Sequence, residues 1–331
     1  MTQDPNLLTV VLNWRTPDMT MEAVAATLVA MKDIAGEIVV VDNDSQDGSF
    51  AAMTAHVAQQ GWSRVRVIQS GRNGGFGAGN NVGIRAGLSG GQSPHYVYVL
   101  NSDAFPAPDA ISHLLTYLEA TPKAGFAGSL IHGPDGDLHL TTFRFPSIAS
   151  EFEGSIRFGP VSRLLRNRAV PLTTPAQAQR VDWLAGASVM MRRDVLDQIG
   201  LFDETFFLYF EETDLCLRAT RAGHEVHFVP ESRVAHIGSV STGMKEWARV
   251  PDYWFDSRLH YFRKSHGAVY AGLATLAHAL GGGLHRLRSR LTGRRPADPP
   301  QFLRTLMTHD AKALMRPATR PQTTRPLKGA S

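Results

Sequence analysis

The sequence predicts an α/β fold in which a mostly parallel sheet is flanked by helices. Short apolar, β-branched runs alternate with helical stretches in the first third of the chain, and this alternation indicates βαβ units. The 331 residues, 43% of them hydrophobic and 19% charged, suffice for one large domain or two smaller ones with an ample core. Ligands of such sheets bind beyond the carboxyl ends of the strands, so polar residues placed there are the first candidates for a function.

The predicted elements follow in chain order. Strands are expected at 7–12, 37–42, 65–68 and 96–100, and helices at about 19–31, 49–60 and 80–88. The stretch 132–180, with scattered Gly, Pro and aromatic residues, is expected to be a surface excursion. Beyond it we expect a buried strand at 181–191, a helix near 193–199, a helix ending at about Ala222 and a strand at 225–229.

An acidic motif is the most informative part of the chain. Three carboxylates, Glu211, Glu212 and Asp214, directly follow the apolar run 206–209 and its neighbour Phe210. Desolvation and mutual repulsion raise the pKa of a carboxylate in such surroundings, and this produces a general base that works near neutral pH. The alternative is an acidic first turn of a helix, where negative charge meets the positive end of the dipole.

Two further segments supply candidate metal ligands. Asn101, Ser102 and Asp103 follow the fourth strand, and Mg²⁺ typically takes one or two carboxylates and completes its shell with phosphate oxygens and water. His236 follows a later strand, and imidazole with carboxylate suits Mn²⁺ or Mg²⁺ when a diphosphate is bound. A polar turn and a structural histidine are the alternatives.

The segment 71–81 is rich in glycine and precedes a predicted helix. Glycines let the backbone approach an anion closely, and the start of a helix presents N–H groups to it. The segment does not match the GxGxxG fingerprint, and it follows the third strand rather than the first. An NAD site is therefore disfavoured, and a flexible helix entry is the other interpretation.

Charge is distributed unevenly along the chain, whose net charge is +4. The part from Arg258 onward has 14 Lys/Arg and 2 Asp/Glu, whereas the rest has 20 and 28. A basic end on an acidic body suggests nucleic acid, a membrane surface or a phosphorylated substrate as partner, and a solvated tail is the alternative. The single cysteine, Cys216, fits a reducing compartment, and the N-terminus lacks the basic region of a signal peptide.

As a set, these motifs resemble those of the inverting, nucleotide-sugar-dependent glycosyltransferases of family 2, which have the GT-A fold, and most closely their rhamnosyltransferase-like branch. The resemblance covers about residues 7 to 267 and is specific as a set, although no segment would suffice alone. It is carried by the segments 11–14, 40–45, 73–81, 100–103, 200–207 and 210–218.

The resemblance implies a role for each matching residue. Glu212 would be the catalytic base, with Glu211 beside it, and Asp214 would organise the helix or contact the acceptor. Asp103 would hold a divalent metal, Mn²⁺ or Mg²⁺, with the donor diphosphate, and His236 would be a further ligand. Nucleotide-sugar contacts would come from Leu12, Asn13, Asp42, Asn73, Gly74, Phe76, Asn80, Asn101 and Ser102, with Asp42 at the base of the nucleotide.

Two positions depart from the family pattern. Asn101 stands where many relatives have aspartate, so the metal site has one anionic ligand fewer. Glu212 replaces the commoner aspartate, which lengthens the base by one methylene. The implied reaction is inverting transfer of a sugar to a glycan or lipid-linked hydroxyl. A dTDP-rhamnose donor is preferred, and UDP-sugars remain an option.

The implied organisation has three parts. Residues 1–257 would form the glycosyltransferase domain, with a nucleotide-binding half at 7–130 and an acceptor and catalytic half at 181–257. A basic and apolar helical extension is expected at 258–295, and a largely disordered Pro/Arg-rich tail at 296–331. The extension is interpreted either as an interfacial anchor on anionic lipid or as a packed terminal helix. The protein is expected in the cytoplasm, with peripheral contact to the inner face of the plasma membrane as one option.

Other functional classes account for less of the sequence. A dehydrogenase would need a phosphate fingerprint after the first strand, where residues 13–17 read Asn-Trp-Arg-Thr-Pro. A nucleotidyltransferase usually has a glycine-rich, basic signature near the N-terminus, which this sequence lacks. A non-catalytic nucleotide-, glycan- or nucleic-acid-binding module would explain the basic end but not the acidic motif with His236, so no nucleic-acid partner is expected.

Overall fold

A nine-stranded mixed sheet forms the centre of the computed structural model, which describes residues 6–238, 249–294 and 298–315. Its strands are β1 Leu7–Asn13, β2 Gly36–Asp42, β3 Val65–Gln69, β4 Tyr96–Asn101, β5 Ala104–Pro106, β6 Ala124–His132, β8 Gln179–Val181, β10 Ser188–Arg192 and β11 Glu225–His236, while β7 Thr142–Phe143 and β9 Trp183–Leu184 form a separate pair.

The strands of the large sheet lie in the order β3-β2-β1-β4-β10-β6-β11-β5, with β8 beside β11. The first four are mutually parallel, in agreement with the predicted βαβ units. β10 is antiparallel to both of its neighbours, β4 and β6, whereas β6 and β11 are parallel. The sheet is therefore mixed, and the mostly parallel α/β architecture is confirmed.

Helices cover both faces of the sheet. They are α1 Pro17–Ala30, α2 Ser49–Gln60, α3 Phe76–Ala86, α4 Ala110–Ala120, α5 Ile148–Ile156, α6 Gly159–Leu164, α7 Arg193–Ile199, α8 Glu211–Arg221, α9 Asp252–His266, α10 Ala268–Leu291 and α11 Phe302–Met315. Because successive strand residues point to opposite faces, Leu7 and Val11 of β1 pack with α1, α2 and α4, whereas Leu8 and Val10 pack with α3, α7 and α8.

Three predicted elements differ from the observed ones, and the first is the strand expected at 225–229, which continues to His236 as β11. In place of the single strand expected at 181–191, Val181 ends β8 and Ser188–Arg192 forms β10, both in the large sheet, whereas β9 pairs with β7 and is separated from β10 by a break at 185–187. The break occurs where the backbone of Gly186 turns toward a side chain of α8. The helix expected from residue 80 begins at Phe76, directly after Gly75, whose φ of 88° ends the preceding loop.

The C-terminal region is helical in all its described parts. α9 runs across the proposed domain boundary at 257/258, and the side chain of Arg258 is fully buried. The tail at 296–331 was expected to be largely disordered, but α11 occupies 302–315, because Leu303 and Leu306 find a buried position there. The remainder of that tail from 316 lies outside the described residues. Within the described ranges, no helix is both long and apolar enough to cross a membrane.

Candidate active site

A cavity of about 1080 Å³ opens at the carboxyl ends of β1 and β4. This is at the upper end of the roughly 300–1,000 Å³ that is usual for small-molecule sites. The cavity brings together nine of the residues singled out in the sequence, namely Leu12, Asn73, Phe76, Asn101, Ser102, Asp103, Glu211, Glu212 and His236. The other five, Asn13, Asp42, Gly74, Asn80 and Asp214, are not among its lining residues.

The acidic motif forms the first turn of α8, so the helix-start interpretation of the sequence holds for its backbone. Tyr209 and Phe210 precede it with φ values of 69° and 70°. Two consecutive non-glycine residues in the left-handed region are costly and are commonest at functional sites. They turn the chain sharply, so that both Glu211 and Glu212 line the cavity.

The two adjacent carboxyls differ in their surroundings. Oε1 of Glu212 accepts a hydrogen bond of 3.2 Å from the backbone N–H of Gly186. Glu211 is only 1% exposed, and among the described residues its Oε2 atom has no hydrogen-bond partner. Each carboxyl thus has a backbone donor outside its own helix that favours the ionised form, Gly186 for Glu212 and Tyr209 for Glu211.

Burial sets the ionisation of both carboxyls. Burial raises the pKa of both, and the charge of Glu212 raises the pKa of Glu211 further, to well above its ordinary value. For Glu212, the Gly186 N–H partly offsets the effect of burial. The two carboxyls therefore titrate as a pair, and the ionisation of one opposes that of the other.

Asp214, the third acid of the motif, points away from the cavity lining. Its carboxylate accepts hydrogen bonds of 2.8 Å from Nε of Arg218 and from Nζ of Lys264 on α9. Lys264 and His260 also contact Asp203. Burial would raise the pKa of Asp203, but these contacts hold it well below its usual range. Asp214 thus fastens α8 to α9.

Asp103 and His236 meet at the edge of the cavity. Nε2 of His236 lies 3.0 Å from Oδ1 of Asp103 and 3.3 Å from Nδ2 of Asn101. The other oxygen of Asp103 accepts a hydrogen bond of 3.1 Å from the Gly238 N–H. In the described part of the chain, no group of three or more His, Cys, Asp or Glu side chains surrounds a common point. One carboxylate with one imidazole fits Mn²⁺ or Mg²⁺ whose remaining ligands are phosphate oxygens and water.

Asp42 and Asn13 lie at the ends of adjacent strands but are buried behind the cavity wall. Nδ2 of Asn13 donates to Oδ1 of Asp42 over 2.9 Å, and the Ser45 hydroxyl donates to the same oxygen over 2.6 Å. This network fixes the loop after β2, which carries Asn43 into the cavity. Asn13 and Asp42 therefore support the loop after β2 and do not line the cavity.

Asn43 belongs to the site but was not singled out from the sequence. Its Nδ2 donates to Oδ1 of Asn73 over 3.1 Å and to the Gly75 carbonyl over 3.2 Å. The Phe76 N–H in turn donates to the Phe207 carbonyl over 2.9 Å, which fixes the glycine-rich loop against the segment before α8. Asn80 supports the same helix entry from within, through a 3.0 Å hydrogen bond to the Phe76 carbonyl.

An aromatic wall was also missed in the sequence. Phe143 and Trp183 stack with ring centroids 4.1 Å apart, and Tyr253 lies 5.4 Å from Phe207 and 6.4 Å from Tyr209. All five line the cavity. The sequence shows 207–210 as an aromatic run. Its partner Tyr253 lies some forty residues later, and the periodicity of a sequence does not reveal contacts between such distant residues.

Comparisons with known proteins agree with this geometry. A family described as "Glycosyltransferase like family 2" matches residues 5–251. An N-acetylglucosaminyl-diphospho-decaprenol L-rhamnosyltransferase of Mycobacterium tuberculosis is 31% identical over 251 residues, which are 72% of this chain and 78% of that protein. The rhamnosyltransferase WbbL of Escherichia coli is 28% identical over 165 residues, which are 49% of this chain and 60% of that protein.

Two solved structures share the fold at 14% identity. They are a Pyrobaculum calidifontis mannosyltransferase in complex with GDP-Man and Mn²⁺, with a TM-score of 0.52, and GalNAc-T7 with UDP, GalNAc and Mn²⁺, with a TM-score of 0.56. The alignments cover 95% of this chain and 88% of the former, and 94% of this chain and 55% of the latter. The expected GT-A fold is thereby confirmed. With the family matched over most of its length, the chain belongs to the glycosyltransferase family 2-like proteins and is a glycosyltransferase.

Proposed function

We propose that this glycosyltransferase transfers L-rhamnose with inversion from a nucleoside-diphosphate donor, dTDP-rhamnose, to a hydroxyl of a glycan or lipid-linked acceptor, with Glu212 as general base. The observation that carries the proposal is the placement of a buried carboxylate, fixed by the Gly186 N–H, in the same cavity as Asp103 and His236. A base and a diphosphate-binding edge in one cavity are what direct displacement at a sugar carbon requires.

Glu212 takes the proton of the acceptor hydroxyl. The hydroxyl oxygen then forms a bond to the anomeric carbon from the face opposite the diphosphate, and the bond from that carbon to the phosphate oxygen breaks. The electron pair leaves with the nucleoside diphosphate, and the configuration at the carbon is inverted. A positioned general base contributes roughly 10²–10⁴-fold in rate.

Glu211 is assigned a neutral role beside the base. Burial and the charge of Glu212 raise its pKa well above the ordinary value, so we assign it the protonated form, which can donate a hydrogen bond to a sugar hydroxyl in the cavity. A second ionised carboxylate at that position would repel the base and the donor diphosphate. Asp214 is assigned the positioning of α8 through Arg218 and Lys264.

Asp103 and His236 would hold a divalent metal, Mn²⁺ or Mg²⁺. When bound, such an ion neutralises charge on the diphosphate. Asn101 contacts the same histidine nitrogen and cannot supply the second negative charge that an aspartate would bring. The donor would therefore contribute a large share of the ligands, and metal and donor would bind together.

The donor and acceptor are inferred from the relatives. Two of those named above are rhamnosyltransferases, which favours rhamnose over the sugars of UDP-linked donors. The mycobacterial protein's name specifies a diphospho-decaprenol acceptor, which favours a lipid-linked acceptor here. We infer from this that the protein works in the cytoplasm, at the inner face of the membrane that holds such an acceptor.

We assign donor binding to residues 7–130 and the acceptor and base to residues 181–257. The assignment is supported by the origin of the lining residues, since Leu12, Asn73 and Asn101 come from the first part and Glu212 and Tyr253 from the second. The excursion 132–180 contributes Phe143 to the aromatic wall, on the side that we assign to the acceptor.

The decisive experiment compares Glu212→Gln with the wild type on a panel of nucleotide sugars. Turnover with dTDP-rhamnose should fall about 10²–10⁴-fold, whereas the Kd for dTDP measured by calorimetry should stay within about twofold. Glu22→Gln, the same change on the exposed face of α1, should retain full turnover. Full activity of Glu212→Gln would disprove the base, and turnover only with UDP-sugars would disprove the donor.

A further inference from the structure

Helix α10 buries its small residues and exposes its large ones, the reverse of the usual arrangement. The side facing α5 and α11 consists of residues such as Ala271, Ala274, Gly281 and Gly282. A Cβ on Gly281 would lie 2.8 Å from the Phe152 carbonyl oxygen, and one on Gly282 would lie 2.7 Å from Leu303. Close packing explains the small residues but gives no reason for large apolar residues on the opposite side.

The opposite side of α10 is a stripe of six leucines. Each is between 48% and 80% exposed. Exposed leucines scattered singly are ordinary, but a contiguous apolar patch on one helix usually marks a binding surface. The stripe consists of Leu273, Leu276, Leu280, Leu284, Leu287 and Leu291.

The spacing of these leucines gives the shape of the surface. Leu273, Leu276 and Leu280 are each followed by another leucine eleven positions later. An eleven-residue repeat corresponds to about 3.67 residues per turn, close to the 3.6 of a straight helix, whereas a left-handed coiled coil needs 3.5. The stripe therefore runs straight along the helix for roughly 27 Å and suits a flat surface better than a supercoiled partner.

The charges on α10 itself are of one sign. α10 contains no Asp or Glu, and Arg290 and Arg294 at its C-terminal end are exposed. Arg288 donates hydrogen bonds to the carbonyls of Ile156 and Arg157, which brings the loop before α6 to the same end. The segment that follows adds three exposed arginines, Arg163, Arg166 and Arg168.

We propose that the leucine stripe of α10 lies flat on an anionic lipid bilayer, with the arginines at its C-terminal end contacting lipid phosphates. A second copy of the chain fits this face poorly. Parallel pairing of two α10 helices would bring two sets of arginines together, and antiparallel pairing would offer them no carboxylate on the partner helix. An apolar stripe with a basic border is the pattern of a helix that lies in the membrane interface.

The position of α10 also relates the bilayer to the cavity. Nδ1 of His278 on α10 lies 2.8 Å from Oε2 of Glu151 on α5, and Glu151 lines the cavity. The helix on the membrane is thus directly attached to a wall of the active site. This deepens the proposed use of a lipid-linked acceptor, but binding to lipid does not itself depend on catalysis.

The test is sedimentation of the full chain with vesicles of phosphatidylglycerol and phosphatidylcholine, and with vesicles of phosphatidylcholine alone. The wild type should bind the anionic vesicles, and Leu276→Gln/Leu280→Gln/Leu287→Gln should bind at least about tenfold more weakly. Arg290→Gln and Arg294→Gln should each weaken binding about fivefold at low salt. The matched control, Val29→Gln/Leu138→Gln, changes exposed apolar residues elsewhere and should bind like the wild type.

Three results would overturn the proposal: equal binding by the wild type and the triple leucine variant, equal binding to neutral vesicles, or a stable dimer in solution that the leucine changes dissociate. Unfolding is excluded as an explanation by an unchanged circular dichroism spectrum, since all three leucines are exposed. Glu212→Gln is measured alongside and should bind vesicles normally. A failure of the membrane proposal is thereby distinguished from a failure of the proposed base.

Discussion

The backbone N–H of Gly186 donates a 3.2 Å hydrogen bond to Oε1 of Glu212, and a Cβ at position 186 would lie 2.5 Å from the same oxygen. Glycine therefore both orients the carboxylate and leaves room for it. The contact lies at the break between β9 and β10, where Ala185 still bonds to Thr141 and Ala187 to Asn101, and the Gly186 N–H turns to α8.

Gly186→Ala should displace the Glu212 carboxylate without unfolding the protein. A displacement of about 1 Å in a catalytic group can cost about 10²-fold in rate, so we expect kcat to fall by roughly that factor while the Kd for dTDP changes little. Gly154→Ala on α5, where a Cβ would meet open space, is the control. Wild-type kcat in Gly186→Ala would show that the contact does not position the base.

Glu211→Gln should change how stability depends on pH. Burial and the neighbouring Glu212 raise the pKa of Glu211 in the folded state. The protonated form of Glu211 therefore favours folding below about pH 4.5. This contribution to the free energy of unfolding is lost as pH rises toward the raised pKa of the folded state. The glutamine variant avoids the loss, so its free energy of unfolding relative to the wild type should increase from pH 4.5 upward, by up to about 1.4 kcal/mol per pH unit, and its Tm relative to the wild type should rise with it.

The measurement for Glu211→Gln is thermal unfolding at a series of pH values. Glu22→Gln, which removes an exposed carboxylate from α1, controls for the change in net charge. A Tm difference that stays constant over the series, or that grows toward low pH, would contradict the raised pKa.

Asp103→Asn should separate metal binding from the rest of the site. The substitution keeps the shape and the 3.1 Å contact to Gly238 in place but removes the one carboxylate next to His236. Calorimetric titration should show at least about tenfold weaker binding of Mn²⁺ in the presence of dTDP. Asp135→Asn, in an exposed turn, should bind as the wild type does. Unchanged Mn²⁺ affinity in Asp103→Asn would exclude Asp103 as a ligand.

The sequence predicted those features that depend on local pattern. Apolar runs located β1 to β4, and the polar residues after them, Asn101 to Asp103, do reach the cavity. The acidic motif forms the first turn of α8, as the helix-start interpretation has it, and burial there raises the pKa of two of its carboxyls. The general base stays a prediction.

Features that depend on distant partners were not predictable in this way. The orientation of Asp214 is decided by Lys264, fifty positions later. The helix α11 forms in a Pro/Arg-rich segment because Gly282 of α10 leaves room for the side chain of Leu303. Asn43 enters the site because Asn13 and Ser45 hold Asp42 behind it. No periodicity in a single sequence contains those pairings.

Arg258→Met should destabilise the protein more than any surface ion-pair change. The buried guanidinium donates to Oε2 of Glu151 over 2.8 Å and to Oδ2 of Asp310 over 3.0 Å, which joins α5, α9 and α11. Burial alone would raise the pKa of Glu151, but Arg258 and His278 lower it to about 2. In the variant, Glu151 keeps its contact with His278 and Asp310 keeps those with Thr275 and His309, but both lose the buried positive charge between them. Removing one partner of a buried pair costs about 3–5 kcal/mol, and urea unfolding at pH 7 should show a loss in that range.

Arg249→Met breaks an exposed pair with Asp252 and should cost less than about 1 kcal/mol. Similar losses in the two variants would mean that the C-terminal helices are not held to the catalytic domain by this buried charge.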